Sequence, residues 1–441
     1  MGRVRTTVRT GAVAGAAALG LVAGLPGAVH AEGAAPGPVP TYRAAEGAKP
    51  VEGKPSTADA PQIEAGGVYQ DTLGPGERVY RLVLDKDESN VYVSAVVRPA
   101  PGAKVSGGDG IEVELMTTAG PTCDDSAGRA NFGYDAYPIS ATGVRWGPED
   151  ANCAAAGVYY AKVTRTSAKG YDQSPWPLEI TVQREPGRGA GVPTTAPSTW
   201  PSGPPSLPGT EAVPRAGGTG FNDARALGAG VWRDEMRPGQ TRFYRVPLDW
   251  GQQLGLSAEL SSAKMTKTYG SASGGLTVSL YSPARSPISD KDISYDGKQA
   301  GITMGKTPPV AYENRFASDR VVKPVAIAGW YYVAVTMGGK VAEFTEDASP
   351  VPLTLRMDIT GTPAKAPAYK GSLAAGGFGV DAEDRTAAKE GLTVPEAAAA
   401  AGNRSVMRVV AGAGFGTGTL LLLVLGGWIL LGRRGRGATA A

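Results

Sequence analysis

The chain has 441 residues, with 44 basic and 41 acidic side chains for a formal +3, and is rich in Gly (63) and Pro (35). That length predicts two or three domains with real cores, and the Gly and Pro content assigns part of it to turns and linkers. Arg3, Arg5 and Arg9 lie at one end and Arg433, Arg434 and Arg436 at the other, so the long middle is net negative and has no basic block. This excludes the cationic footprint of a nucleic-acid binder.

In chain order, residues 1–31 read as a secretory signal. A basic start precedes the apolar run GAVAGAAALGLVAGL, and small residues at Val29 and Ala31 place the cut after Ala31. An uncleaved anchor is the alternative. Twin arginines are absent and no Cys lies near the cut, which favours general export without a lipid anchor. Residues 32–56 are expected to be a disordered lead, 57–185 a first β-sandwich, 186–215 a Pro-rich linker and 216–362 a second β-sandwich. The linker's prolines predict an extended, semi-rigid segment that holds the two modules apart. Residues 363–408 are expected to form an Ala/Gly-rich stalk, with a helix in DAEDRTAAKEG. Residues 409–431 carry no charge and, at about 1.5 Å rise per residue, are long enough to span a bilayer. Residues 432–441 make an Arg-rich tail that stays cytoplasmic and leaves the body outside. A sortase signal would also end in an apolar run and basic residues, but LAAGG and LTVPE upstream do not fit Leu-Pro-x-Thr-Gly.

The middle of the chain is written twice. GVYQDTLGPGERVYRLVLD (67–85) is answered by GVWRDEMRPGQTRFYRVPLD (230–249), GIEVEL (110–115) by GLTVSL (275–280), and GVYYAKV (157–163) by GWYYVAV (329–335). SPWPLEITV (174–182) likewise matches SPVPLTLRM (349–357). Matches in one order mean a tandem duplication. Each block alternates apolar and polar residues between Gly, Pro or Asp, which predicts half-buried strands in an antiparallel sandwich per copy. In GWYYVAV both faces are apolar, so that strand is expected to be central and its tyrosines to be core.

Gly67, Tyr69, Asp71, Pro75, Gly76, Glu77, Tyr80 and Gly157 to Tyr160 resemble the bacterial pre-peptidase C-terminal domain. So do Gly230, Trp232, Asp234, Pro238, Gly239, Gln240, Tyr244 and Gly329 to Tyr332. The layout is similar to that of exported actinobacterial single-span membrane proteins. The resemblance implies an all-β fold, two tandem jelly-roll-like sandwiches followed by one C-terminal transmembrane helix. It also implies an accessory, non-catalytic module with no catalytic residues to transfer.

Chemistry in the residues themselves is sparse. His30, the single histidine, leaves with the signal, so the mature chain has no imidazole for a catalytic triad or zinc site. No catalytic residue and no cofactor is expected. Cys123 and Cys153 are expected to pair outside the cell, closing a loop worth roughly 3–4 kcal/mol in a chain-entropy account. Asp290, Asp292 and Asp296 are spaced like the start of a calcium loop, but Tyr295 stands where that loop needs Gly. A solvated acidic loop is the alternative. Loop aromatics Tyr134, Tyr137, Trp146, Tyr295 and Tyr312 are candidate ligand contacts, with core packing as the alternative for each. The expected role is a non-catalytic, membrane-anchored surface protein that serves as an interaction or scaffold module for an exported protein or envelope component. The rival is envelope polysaccharide binding through the loop aromatics.

Overall fold

The computed structural model describes residues 39–84, 89–124, 128–147, 152–196, 199–346 and 349–402. The expected signal (1–31), span (409–431) and Arg-rich tail (432–441) lie outside the described residues. Among the described residues no helix is long and apolar enough to cross a membrane.

The fold is mostly β, with four sheets making two sandwiches. In copy one the strands are β1 (Lys49–Pro50), β2 (Val68–Leu73), β3 (Gly76–Leu84), β4 (Asn90–Val97), β5 (Gly110–Thr117), β6 (Gly128–Asn131), β7 (Ile139–Arg145), β8 (Gly157–Thr166) and β9 (Trp176–Glu185). Copy two has β10 (Val213–Pro214), β11 (Arg225–Ala226), β12 (Gly230–Met236), β13 (Thr241–Leu248), β14 (Gln253–Leu260), β15 (Ala272–Tyr281), β16 (Pro287–Tyr295), β17 (Ala300–Met304), β18 (Gly329–Met337) and β19 (Val351–Thr360). Sheet order β1-β2-β9-β4-β7 is repeated as β10-β12-β19-β14-β17, and β3-β8-β5-β6 as β13-β18-β15-β16 with β11 added at its edge. The duplication read from the sequence is therefore also a duplication of topology.

Period-two patterning accounts for the cores. In copy one Tyr80, Leu82, Tyr159, Ala161, Val163 and Ile111 face Leu178, Ile180, Val91, Val93 and Ala95 across the sandwich. In copy two Tyr244, Val246, Tyr331, Val333 and Val335 face Leu353, Leu355, Leu254 and Leu256. Tyr159 and Tyr331, the first tyrosine of each pair, point inward, and both β8 and β18 are central in their sheets.

The recurring Asp and Tyr form one polar tie per copy, with a glycine from the segment ahead of the matched block. Asp71 Oδ2 accepts from the Tyr80 hydroxyl at 2.6 Å and from Gly53 N–H at 2.8 Å. Asp234 Oδ2 accepts from the Tyr244 hydroxyl and Gly217 N–H at the same two distances. A Cβ on Gly53 or Gly217 would come within 2.7 Å of the tyrosine ring, so only glycine lets the chain cross it. Four of the residues that carry the resemblance, Asp71, Tyr80, Asp234 and Tyr244, thus have a structural part in this tie.

Three segments expected to hang free are instead laid on the body. From residue 39 onward the lead is laid on the body: β1 pairs with β2, and Tyr42 is buried with Val96, Phe221, Phe243 and Tyr281. The Pro-rich segment does not hold the modules apart. Val192 is buried in copy two's core cluster, Gln253 donates to Pro201 O at 2.8 Å, and Ser206 N–H donates to Asp358 at 2.8 Å. Prolines leave few backbone donors, but their carbonyls and rings still accept and pack. The Ala/Gly-rich stretch also docks. Phe378 is buried, and the helix α1 (Ala382–Glu390), capped by Asp381, sets Ala387 and Ala388 on Ala226 of β11. Trp330 donates to Asp384 at 2.9 Å and Arg225 pairs with Glu396 at 2.9 Å. Small side chains allow that close approach.

Candidate functional site

The two sandwiches meet along the outer face of the sheet β1-β2-β9-β4-β7. Strand β4 is buried on both sides: Val91, Val93 and Ala95 enter copy one's core, while Tyr92 and Val96 enter clusters built mainly by copy two. On β9, Leu178, Ile180 and Val182 point inward, and the intervening Glu179 and Glu185 point at the other module, both fully buried.

Each glutamate is met by an arginine from copy two. Glu179 Oε1 pairs with Arg285 at 2.6 Å, at the tip of the β15–β16 hairpin, where Arg285 has φ 59°. Asn222 Nδ2 lies 3.0 Å from both carboxylate oxygens, the Tyr42 hydroxyl donates at 3.1 Å and Ala45 N–H at 2.8 Å. Glu185 takes the Arg315 guanidinium in two bonds of 2.7 and 3.1 Å, together with Asn90 and the hydroxyls of Tyr92 and Tyr369. Burial pushes both carboxyls up, but the facing guanidinium and the donor shell outweigh it and hold each below the usual carboxylate range. A buried pair this well satisfied contributes little net stability compared with an apolar isostere, yet removing one partner costs about 3–5 kcal/mol. These ties therefore penalise any docking geometry that leaves either partner unpaired.

Smaller contacts follow the same seam. Ser140 donates to Arg285 O at 2.9 Å, Thr142 to Ala284 O at 3.2 Å, and Lys323 pairs with Asp124 at 2.9 Å. The loop 133–138 of copy one sends Asp135 to accept Gly339 N–H at 3.0 Å, and Tyr134 packs on Gly274. The same loop borders three clefts between the modules, of about 300, 630 and 620 Å³.

The predicted aromatics separate accordingly. Tyr134 is 52% exposed and lines two of these clefts, and Tyr137 is half-buried between two. The Tyr137 phenol is pushed up to about 12, by burial first and then by the charge of Asp290, which lines the same cleft. Trp146 lies apart on a further cleft of about 230 Å³, set edge-on to Tyr92 with the Lys323 and Arg315 cations beside its ring. Tyr295 and Tyr312 are corrections, because both are buried. Tyr295 closes β16, where the strand's alternation turns it inward, and its hydroxyl donates to Ser261 O at 2.6 Å. Tyr312 stacks under the Arg315 guanidinium at 3.5 Å. The stretch between β15 and β18 that carries these two aromatics is not one loop, since it contains β16, β17 and the short 3-10 turn Tyr312–Phe316.

Asp290 and Asp292 stand on strand β16 and Asp296 in the turn beyond it, beside Lys298. Among the described residues no group of three or more acidic, His or Cys side chains is gathered for a metal. Cys123 and Cys153 are bonded, with S–S 2.04 Å. The loop they close is braced by Arg145, which donates to the carbonyls of Cys153, Ser89, Ala154 and Ala155.

The four residues that make the seam were not anticipated. A signal existed, since aligning SPWPLEITVQRE with SPVPLTLRMDIT sets Glu179 and Glu185 against Thr354 and Thr360. A carboxylate on a strand whose sister copy carries a small hydroxyl marks a face with a different neighbour.

No protein-family model matches the chain, and no curated protein matches it. Among solved structures it is similar to the pre-peptidase C-terminal domain of a Bacillus anthracis collagenase, at 18% identity over 28% of this chain and 95% of that one, with a TM-score of 0.17. It is also similar to the CBM22-1–CBM22-2 tandem domain of Paenibacillus barcinonensis Xyn10C, at 16% identity over 68% and 92%, TM-score 0.18. The CUB1-EGF-CUB2 domain of human MASP-1/3 matches at 6% over 66% and 99%, TM-score 0.17. With scores this low, none of these bears on function.

Proposed function

We propose that the protein is a non-catalytic binding scaffold, anchored in the bacterial membrane and displayed outside it, that presents two locked β-sandwiches to an exported protein or envelope component. The observation that supports this reading is the seam. Its buried arginines and glutamates are spent on holding the modules in one geometry, and the clefts left beside loop 133–138 draw residues from both copies. A binder gains from such rigidity because little ordering cost remains when the partner arrives. The signal, the span and the Arg tail support the placement.

The test is a pull-down of the full chain from a non-denaturing detergent extract, with Tyr134→Ala as the paired bait. A saturable protein partner lost on that substitution is the expected result. Recovery of the same proteins by both baits would sink the use of this face. A second reading, envelope polysaccharide binding, is favoured by one observation: Tyr134, half exposed, shares a cleft with polar groups of copy two.

A further inference from the structure

We propose that the cleft of about 300 Å³ between Tyr134, Tyr137 and strand β16 is a subsite for one neutral hexose unit of a glycan chain. The proposal rests on the polysaccharide reading and names its site and sugar class.

A pyranose has an apolar C–H face and a rim of hydroxyls, and each side needs its own partner. The Tyr134 ring is the exposed flat surface, and it is held in place because it packs on Gly274, where a Cβ would come within 2.5 Å of it. Glycine at φ +63° in that position is thus required both by the backbone and by the ring above it. Tyr137 is fixed edge-on against Phe132 at 6.1 Å between centroids, so the second wall is also preset. The apolar floor comes from Ile139, Leu280 and Tyr281.

The rim is polar and open. Asp290 and Asp292 line the cleft, and neither carboxylate makes a hydrogen bond or ion pair among the described residues, so both are free to accept from hydroxyls. Two positions apart on an extended strand, they are separated by roughly 7 Å along the backbone. That spacing suits two different hydroxyls of one ring better than a single cation, whose oxygen ligands must converge to about 2.3–2.6 Å. Burial, and then the charge of Asp292, hold the Asp290 carboxyl above its usual range, a frustration that hydroxyl donors would relieve. Arg129 also lines the cleft and supplies donors, with one of its nitrogens used by Glu112 at 2.9 Å. The volume is at the lower end for ligand clefts, which fits one sugar ring and not a long buried stretch.

The experiment uses the full chain in a detergent without a sugar head group. Neutral gluco-, galacto-, manno- and malto-hexasaccharides, with an oligoglucuronate and a chitosan oligomer as charged controls, are titrated by calorimetry. At least one neutral hexasaccharide is expected to saturate. Tyr134→Ala and Asp292→Asn should each weaken it by about tenfold, the scale of one ring contact or one charged hydrogen bond. Tyr269→Ala, 88% exposed and outside the cleft, should leave it unchanged. Absence of binding by every oligosaccharide overturns the polysaccharide reading and this site with it. A hexasaccharide that binds equally well to the Tyr134 and Asp292 variants leaves that reading standing and overturns the cleft. Tighter binding of either charged oligomer than of any neutral one overturns the sugar class.

Discussion

Copy one and copy two share strand order, core pattern and the Asp–Tyr–Gly tie, and they differ where one covers the other. On β8, Val158, Tyr160 and Lys162 face outward, and Lys162 pairs with Glu114 of β5 at 2.7 Å as a solvated face would. The matching residues of β18, Trp330, Tyr332 and Ala334, lie beneath the lead and α1, and Ala334 is buried against Tyr42 and Phe243. On β9, Glu179 and Glu185 replace Thr354 and Thr360 of β19. Beyond β7, copy one turns back through a disulfide-closed loop, whereas copy two beyond β17 runs a long connection that carries Arg315 and Lys323. Within each copy the shared residues maintain the sandwich. Residues that differ between the copies, Glu179 and Glu185 of β9 and Arg285 and Arg315 of copy two, join the two sandwiches.

That account can be broken most forcefully at the seam. Glu185→Ala should cost about 3–5 kcal/mol by chemical denaturation, because it strands Arg315 in a buried site. Thr360→Ala, its counterpart in copy two, should cost under about 1 kcal/mol. Equal losses would mean that the copies do not divide their roles in this way. Replacing both cysteines by serine comes next, with a loss of roughly 3–4 kcal/mol expected for a loop of that length. The loss should fall on the unfolding transition of copy one, followed by the environment of Trp176.

Acid offers a graded version of the first test. The Glu179 and Glu185 carboxyls are held below their unfolded value of about 4.3, so their contribution is complete above that pH and is lost as pH falls through the depressed folded values. Small-angle scattering should show the modules separating below about pH 4 at low salt, and Glu179→Gln with Glu185→Gln should flatten that dependence. An unchanged profile in the double variant would place the acid response elsewhere. The smallest effect concerns what the copies share. Tyr80→Phe and Tyr244→Phe each remove one hydroxyl donor to an aspartate, half-buried in copy one and buried in copy two, and should cost about 1–2 kcal/mol apiece, alike within error. A large inequality would show that the tie is not equivalent in the two copies.

Several elements were legible in the sequence because they depend on neighbours in the chain or on period two alone. These were the strands, the repeat, the central place of GWYYVAV and the cysteine pair. Alternation sends one tyrosine of each pair to either face, and packing against the opposite sheet takes Tyr159 and Tyr331 inward. The tertiary structure decided which outer faces remain outer. Glu179 on β9 reads as a solvated residue until Arg285 arrives from 106 residues away, and Tyr295 and Tyr312 read as loop aromatics until strands close over them. Composition described the 186–215 segment and the Ala/Gly-rich stretch as spacers, yet both adhere to the body, because small and proline side chains pack as readily as they extend once a matching surface is near. Local pattern determines which side of a strand is apolar, and only long-range docking determines what each remaining side meets.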